Sequence, residues 1–248
     1  MLTKCHIKSL CQLASIVYKP NSFFLENYKK NTPGCECFKF IDKQPIFIES
    51  NIDCQVYVSI FNKNSIVCAF RGTESARDWL SDLNMVRVHM DLNGINNQDR
   101  PKAHMGILRQ FRSVETQITS FINKELMENN NIKNIIYTGH SLGGGAATIA
   151  LMNYSHIYPD LKHQCVTFGS PRVGNNNFRK LYEEKCNFSK RYVNYYDPIP
   201  SVPFSLRYIH CCPSDHILEN TIENTETPII RFFQIIGFKI ANWFGASY

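Results

Sequence analysis

A serine in a glycine-rich segment is the residue of this chain best suited to nucleophilic chemistry. Ser141 stands in Gly139-His-Ser-Leu-Gly143, which is followed by two more glycines and lies between a compact apolar run and a helical pattern. In a sharp turn from a strand into a helix, small residues let the two elements approach while the serine hydroxyl stays accessible. The segment therefore predicts a nucleophilic Ser141; the alternative is an ordinary glycine-rich helix start.

A serine hydroxyl becomes a good nucleophile only when a base removes its proton and a carboxylate orients that base. Asp197 follows an apolar run that ends at Tyr196 and precedes Pro198, so we expect it at the end of a strand. Its position after the serine matches the order serine, acid, histidine found in α/β-hydrolases. We expect Asp197 to be the carboxylate; the alternative is a residue that merely begins a turn.

The elements around these residues alternate as in a parallel sheet covered by helices, which is the α/β class. Strand patterns occupy residues 45–49, 55–61, 65–70, 134–138, 164–168 and 191–196. Helical spacing of apolar residues occupies residues 5–18, 107–127, 142–158 and 175–186, and we expect a loop from the end of the first helix to about Cys37. The length of 248 residues and the lack of internal repeats predict one domain over residues 1–226, followed by an apolar tail at 227–248.

Composition narrows the classes of function. Hydrophobic residues make up 44% of the chain and charged residues 19%, which is typical of a globular protein. The net charge of +6 comes without any block of basic residues, so nucleic-acid binding is not expected. Residues 1–18 are interrupted by polar and charged side chains, which predicts no signal peptide and a cytoplasmic or peripherally membrane-associated protein.

The ten cysteines do not indicate a disulfide framework or a metal site. Cys68 and Cys165 fall in strands that should be buried, which favours reduced thiols in a reducing compartment. Cys35-Glu-Cys37 and Cys211-Cys212 lack the two-residue gaps of a zinc ribbon. We therefore expect no metal and no cofactor.

Five ordered blocks between Ile66 and His216 resemble the class 3 lipase family, which contains fungal triacylglycerol lipases and plant acylhydrolases. The blocks are Ala69-Phe-Arg-Gly-Thr73 with Asp78-Trp-Leu80 and Asp82-Leu83, His104-Met-Gly106, Gly139 to Gly144, Thr167 to Gly174, and Val193-Asn-Tyr-Tyr-Asp197. The resemblance implies an α/β-hydrolase fold and a lipid ester as substrate. One departure is Ile107, where the family usually has phenylalanine.

The resemblance also implies roles for further residues. Thr73 would supply part of the oxyanion hole, and the backbone N–H of Leu142 would supply another donor, as the turn at Ser141 independently requires. Two histidines follow Asp197, and we choose His216, which precedes an expected helix, over His210, whose Tyr-x-His pattern resembles a structural segment of relatives. His104 resembles a structural His-x-Gly segment, so we expect it to pack or to form a hydrogen bond, as we do for His140, which is adjacent to the serine.

Residues 74–86 resemble the lid helix of fungal lipases. Trp79, Leu80 and Leu83 fall together with Val86 on one helical face. A lid that opens would enlarge an acyl-binding groove with this face. The alternative is a fixed surface helix whose apolar face joins the core.

The tail at residues 227–248 is rich in isoleucine and phenylalanine, and as a helix it would carry one polar stripe containing Arg231, Lys239 and Asn242. A membrane span is not expected, because a lysine near its centre would cost roughly 3 kcal/mol. The tail either packs as a last core helix or lies in a lipid interface.

Two other functions stay open, because a fold alone does not guarantee chemistry. The chain could be a catalytically inactive binding or signalling protein, or an acyltransferase that uses the same site. The sequence indicates neither the lipid class nor the oligomeric state.

Overall fold

A computed structural model describes the parts of the chain that position the candidate site. The described residues are 2–27, 36–52, 54–72, 86–92, 95, 99–194, 197–204, 206–212 and 215–218. Thr73, the predicted lid with Trp79, Leu80 and Leu83, and the tail at 227–248 lie outside these residues. The predictions made for them therefore stay predictions.

The described strands form one large sheet and one hairpin. In chain order they are β1 (Ile46–Glu49), β2 (Gln55–Phe61), β3 (Ser65–Phe70), β4 (Arg87–His89), β5 (Lys102–His104), β6 (Asn134–His140), β7 (Lys162–Phe168), β8 (Phe188–Asn194) and β9 (Asp215–Leu218). The seven-stranded sheet has the order β1-β2-β3-β6-β7-β8-β9. β1 to β3 are antiparallel, and every pairing from β3 to β9 is parallel. The mostly parallel sheet confirms the predicted fold class.

Helices cover both faces of this sheet. They are α1 (Lys4–Ile16), α2 (Asn21–Asn27), α3 (Met105–Glu128), α4 (Leu142–Ile157) and α5 (Asn176–Lys185), with short 3₁₀ turns at Glu36–Phe40 and Ile199–Ser201. The apolar side of α1 packs on one face, and α3, α4 and α5 bury their apolar residues against the other. α4 is buried on nearly all sides because the sheet and two helices surround it. Such double cover explains why the parallel strands are continuous apolar runs.

Most predicted elements are confirmed to within a few residues, and the strands at 55–61 and 65–70 are confirmed at both ends. The prediction of a loop after α1 is wrong for the residues of α2, which form a short helix. This helix buries Phe24, whose ring stacks on that of Tyr57 with 3.7 Å between the ring centroids. β9 was also not predicted. Among the described residues, no helix is long and apolar enough to cross a membrane.

Candidate active site

Ser141 occupies the turn between β6 and α4 in a strained backbone conformation. Its φ of 54° and ψ of −127° lie in a region that side chains other than glycine rarely adopt. The Ser141 N–H donates a hydrogen bond to the carbonyl oxygen of Phe168 at the end of β7, at 2.9 Å. The sheet therefore holds the serine at its carboxyl-terminal edge, and the predicted strained turn is confirmed.

The glycines that flank Ser141 allow the strand and the helix to touch. A Cβ atom at Gly139 would collide with the backbone of Gly143, and a Cβ at Gly143 would collide with the backbone of Phe70 and Arg71. Any larger residue would push α4 away from β6 and β3. Leu142 is the first residue of α4, where backbone N–H groups have no partner within the helix and favour negative charge.

Asp197 lies three residues beyond β8, at the same edge of the sheet as Ser141. The N–H of Ile199 donates to its Oδ1 at 2.9 Å, which fixes the carboxylate in the loop that follows the strand. A Cβ atom at Gly169 would lie 2.5 Å from Asp197 Oδ2, so the carboxylate is packed directly against the residue that follows Phe168. The structure thus places both Asp197 and Ser141 against the Phe168-Gly169 segment.

The carboxyl group of Asp197 is largely removed from water. Burial raises its pKa to about 6, and the hydrogen bond from the Ile199 N–H offsets only part of this effect. A buried carboxylate gains most from a cationic partner, because the ionised form is otherwise poorly solvated. Asp197 is therefore suited to stabilise an imidazolium.

His140 is buried and bonded to a residue that the sequence did not single out. The Tyr18 hydroxyl lies 2.9 Å from Nδ1 of His140, and the Arg71 guanidinium lies 5.6 Å from the centroid of the Tyr18 ring. Burial lowers the pKa of His140 to about 4, so its imidazole is neutral near pH 7. The predicted packing of His140 is confirmed.

The Tyr18 hydroxyl also marks the junction between the nucleophile turn and the segment that leads to Thr73. A Cβ atom at Gly72 would collide with this hydroxyl and would lie 3.4 Å from the Cβ of Ser141. Tyr18 thus contacts both segments that the sequence assigns to catalysis. Tyr18 and His140 are 122 residues apart, and no local pattern in the sequence could have predicted their contact.

The imidazole of His210 contacts two other residues of the protein. Its Nε2 atom lies 2.7 Å from the carbonyl oxygen of Pro200 and 2.8 Å from Nη1 of Arg191. Arg191 is only 5% exposed. In a serine triad, Nε2 is the atom that faces the nucleophile. His210 therefore fits the structural role that was expected of it.

His216 lies in β9, where its backbone is in parallel register with Tyr192 of β8. The helix expected after this histidine is therefore wrong for residues 215–218, which extend the sheet instead. The physical reason is that β8 has a free edge there, and an apolar Ile-Leu segment gains backbone hydrogen bonds by pairing with it.

His104 caps α3, since its Nδ1 accepts a hydrogen bond from the N–H of Gly106 at 3.1 Å. It is 3% exposed, and burial lowers its pKa to about 4. This contact agrees with the structural role expected for His104.

A mostly parallel sheet with a strained serine between strand and helix defines an α/β-hydrolase. The chain belongs to the class 3 lipase family, whose model, described as Lipase (class 3), matches residues 67–206. The match includes Ser141 and Asp197 and ends before His210.

The chain is similar to enzymes of plants and fungi. It is 28% identical over 207 residues to the chloroplastic phospholipase A(1) DAD1 of Arabidopsis thaliana, covering 74% of this chain and 46% of that protein. It is 31% identical over 171 residues to the secreted mono- and diacylglycerol lipase A of Penicillium cyclopium, covering 67% of this chain and 53% of that protein. The chain thus spans about half the length of these curated relatives.

A solved structure has the same fold. The triacylglyceride lipase of Rhizomucor miehei superposes with a TM-score of 0.72 at 20% identity, covering 87% of this chain and 81% of that structure. The similarity shows that this chain has the fold of that structure.

Proposed function

We propose that this chain is a serine hydrolase that cleaves carboxylic esters of lipids. The observation that carries the proposal is the strained backbone of Ser141 at the turn from β6 into α4. Membership of the class 3 lipase family supports it. The relatives are named as a phospholipase and as a mono- and diacylglycerol lipase, so we propose esters of glycerol lipids as the substrate class. No cofactor enters this chemistry.

In the proposed first step, the Ser141 hydroxyl attacks the ester carbonyl carbon while His216 accepts its proton. Ionised Asp197 stabilises the imidazolium that forms on His216. The negative charge on the former carbonyl oxygen is met by the N–H of Leu142 and by Thr73. His216 then gives the proton to the leaving alcohol, and the acyl group stays on Ser141.

In the second step, His216 takes a proton from water, and the hydroxide attacks the acyl-enzyme through the same oxyanion hole. Collapse of that intermediate releases the fatty acid and returns the proton to Ser141. The requirement for Asp197 is the same in both steps, because the imidazolium forms twice.

The choice of His216 as the base is supported by the contacts of the other histidines. Nε2 of His210 lies against Pro200 and Arg191, and His140 is bonded to Tyr18. His104 precedes the serine and caps α3. His216 is the other histidine that follows Asp197, and the resemblance to the family favours it.

Two further segments belong to the proposal. We propose that Trp79, Leu80 and Leu83 form the apolar face of a mobile lid. We also propose that residues 227–248 form a tail that lies in a lipid interface. A shortened chain that ends at Glu226 should hydrolyse a water-soluble ester normally and no longer sediment with liposomes. Aggregation of the shortened chain would instead place the tail in the core. We also keep a cytoplasmic or peripherally membrane-bound location as an expectation.

A panel of lipid esters tests the function. The full chain is incubated with a triacylglycerol, a diacylglycerol, a monoacylglycerol and a diacyl phospholipid, and the released fatty acid is measured. We expect release from at least one of them, abolished by Ser141→Ala and retained by Ser120→Ala, an exposed serine of α3. If Ser141→Ala and the unchanged chain release fatty acid equally, Ser141 is not the nucleophile. Preferred transfer of the acyl group to an added alcohol over water would identify an acyltransferase.

A further inference from the structure

The imidazole of His140 and the carboxylate of Asp197 both border the space beside Gly169. A Cβ atom added at Gly169 would have Oδ2 of Asp197 at 2.5 Å and Nε2 of His140 at 3.5 Å as its nearest neighbours. Since glycine has no Cβ, residue 169 places no side chain between the two groups. Nε2 of His140 and Oδ2 of Asp197 are therefore neighbours, although they come from β6 and from the loop after β8.

Gly169 is held in the conformation that this arrangement needs. Its φ of 58° lies in the left-handed region, which favours glycine. Its N–H donates to the carbonyl oxygen of Tyr192 at 2.8 Å, which ties the residue to β8. Any side chain here would meet the carboxylate of Asp197. A glycine at this position thus leaves the imidazole and the carboxylate free to interact.

The other ring nitrogen of His140 contacts Tyr18. Nδ1 lies 2.9 Å from the Tyr18 hydroxyl, and His140 is only 7% exposed. Burial lowers the pKa of His140 to about 4, so the ring is neutral near pH 7. A neutral imidazole carries one N–H, so a hydroxyl that donates to Nδ1 leaves the hydrogen on Nε2.

A second buried tyrosine–histidine pair shows which tautomer such an arrangement selects. The Tyr137 hydroxyl lies 3.0 Å from Nδ1 of His163, and Nε2 of His163 lies 2.9 Å from the carbonyl oxygen of Tyr158. A carbonyl oxygen only accepts, so Nε2 carries the hydrogen and Tyr137 donates to Nδ1. For His140 the acceptor on the Nε2 side is the carboxylate of Asp197, which favours an N–H over a lone pair in the same way.

The other titratable groups of β8 and of the acid's own loop do not replace this interaction. Nη1 of Arg191 lies 2.8 Å from Nε2 of His210, and Tyr192 is uncharged near pH 7 because burial raises its pKa. Residues 198–204 carry no titratable side chain. The electrostatic environment of Asp197 on these segments is therefore set mainly by burial and by backbone dipoles.

The segments on either side add few charges. Arg172, in the loop after β7, donates through Nη1 to the carbonyl oxygen of Pro203 at 3.2 Å. β9 contributes Asp215 and His216, the second of which is the proposed base. The N–H of Ile199 is the described donor to the carboxylate of Asp197, and a second donor on the Oδ2 side would complement it.

We propose that His140 is a positioning residue for Asp197, whose carboxylate is kept ionised by the Nε2–H that Tyr18 fixes. This role rests on the proposed function, in which ionised Asp197 stabilises the imidazolium of His216. An N–H dipole directed at a carboxylate favours its charged form, and the effect is strong where water is excluded. It opposes the burial that raises the pKa of Asp197 to about 6. The residue before the nucleophile thereby acts on the acid of the triad.

NMR of the Asp197 carboxyl carbon tests the proposal without catalytic turnover, since it follows the ionisation of this group directly. All chains carry His216→Ala, so that the carboxyl does not titrate together with the proposed base. The signal is assigned by its loss in Asp197→Asn. His140→Leu removes both ring nitrogens, whereas His140→Gln keeps an amide donor that reaches the position of Nε2. His163→Leu is the matched control, because it removes the second tyrosine–histidine pair at the amino-terminal end of β7.

We expect the midpoint of the Asp197 titration to rise by about one pH unit in His140→Leu and to stay at the parent value in His140→Gln and His163→Leu. Thermal melting verifies folding, and His140→Asn, whose amide is too short to reach the carboxylate, replaces a His140→Leu chain that does not fold. In chains that keep His216, the acid limb of the pH profile of kcat should move to higher pH in His140→Leu.

A midpoint that is unchanged or lower in His140→Leu, or an equal rise in His140→Gln or His163→Leu, would overturn the proposal. The raised midpoint in a chain that hydrolyses no ester would support the contact between His140 and Asp197 and count against the proposed function. The two failures are thus distinguishable.

Discussion

The Tyr18 hydroxyl and Nδ1 of His140 lie 2.9 Å apart, at the point where the segment that leads to Thr73 meets the nucleophile turn. We predict that Tyr18 is a positioning residue, acting through His140 and Gly72. Tyr18→Phe removes the hydroxyl and keeps the ring, so kcat for a water-soluble ester should fall about tenfold with little change in KM.

Tyr158→Phe is the matched control, because its hydroxyl also makes one hydrogen bond, to Asn123 at 2.7 Å, far along the chain from the site. It should leave kcat unchanged. If Tyr18→Phe lowers only the melting temperature, with kcat preserved, the hydrogen bond to His140 is structural.

The carboxyl group of Asp197 should make stability depend on pH. Burial raises its pKa to about 6, so the protonated form is the stabilising one: its contribution is fully present below the unfolded value of about 4 and lost as the pH rises through about 6. Asp197→Asn removes this loss. Urea denaturation should therefore show that the free energy of unfolding of the variant exceeds that of the natural chain by an amount that grows between about pH 4 and pH 6. The difference should reach on the order of 2 kcal/mol and stay constant at higher pH.

Asp160→Asn controls for the loss of a carboxylate, since Asp160 is exposed in the turn that follows α4. This control should follow the pH dependence of the natural chain. An Asp197→Asn variant that does the same would mean that the carboxylate is solvated rather than buried.

Substitution of His216 should affect catalysis, whereas substitution of His210 should affect mainly stability. His216→Ala should lower kcat by roughly 10³ to 10⁴, and combining it with Asp197→Asn should be little worse, because the residues of a triad act as a unit. His210→Ala should preserve most of kcat and reduce the free energy of unfolding by about 1–3 kcal/mol, because buried Arg191 loses a contact. If His210→Ala abolishes hydrolysis and His216→Ala does not, the roles must be exchanged.

The predicted lid has a kinetic signature. If the face with Trp79, Leu80 and Leu83 opens at a lipid interface, specific activity on an emulsified ester should exceed that on the same ester dissolved as a monomer. The comparison is made on either side of the solubility limit of one ester. Equal specific activities would mean a fixed surface helix.

The sequence predicts the central sheet well because parallel strands covered on both faces are continuous apolar runs, and the helices between them keep a period near 3.6. The hairpin β4–β5 and strand β9 are short, and each forms mainly because neighbouring backbone offers hydrogen bonds. α2 forms in a segment expected to be a loop, where Phe24 stacks on Tyr57 from a distant strand. Such elements depend on tertiary contacts that no local pattern contains.

The same distinction applies to the candidate site. Ser141 is predictable because a strained turn requires glycines at fixed positions, and Asp197 because proline fixes the end of its strand. Tyr18 is not predictable, since only the packing of α1 against the sheet brings it to His140. The contact of Arg191 with His210 likewise joins residues from separate segments, so no local pattern could have predicted it.

Covalent labelling tests the central claim most directly, because a fluorophosphonate reacts with a serine only when a base has activated it. The full chain is incubated with the probe, digested and analysed by peptide mass spectrometry. We predict a single modified peptide with the adduct on Ser141, and no adduct in the Ser141→Ala or His216→Ala variants. Modification of another serine, or an unmodified Ser141 in a folded chain that hydrolyses esters, would contradict the account.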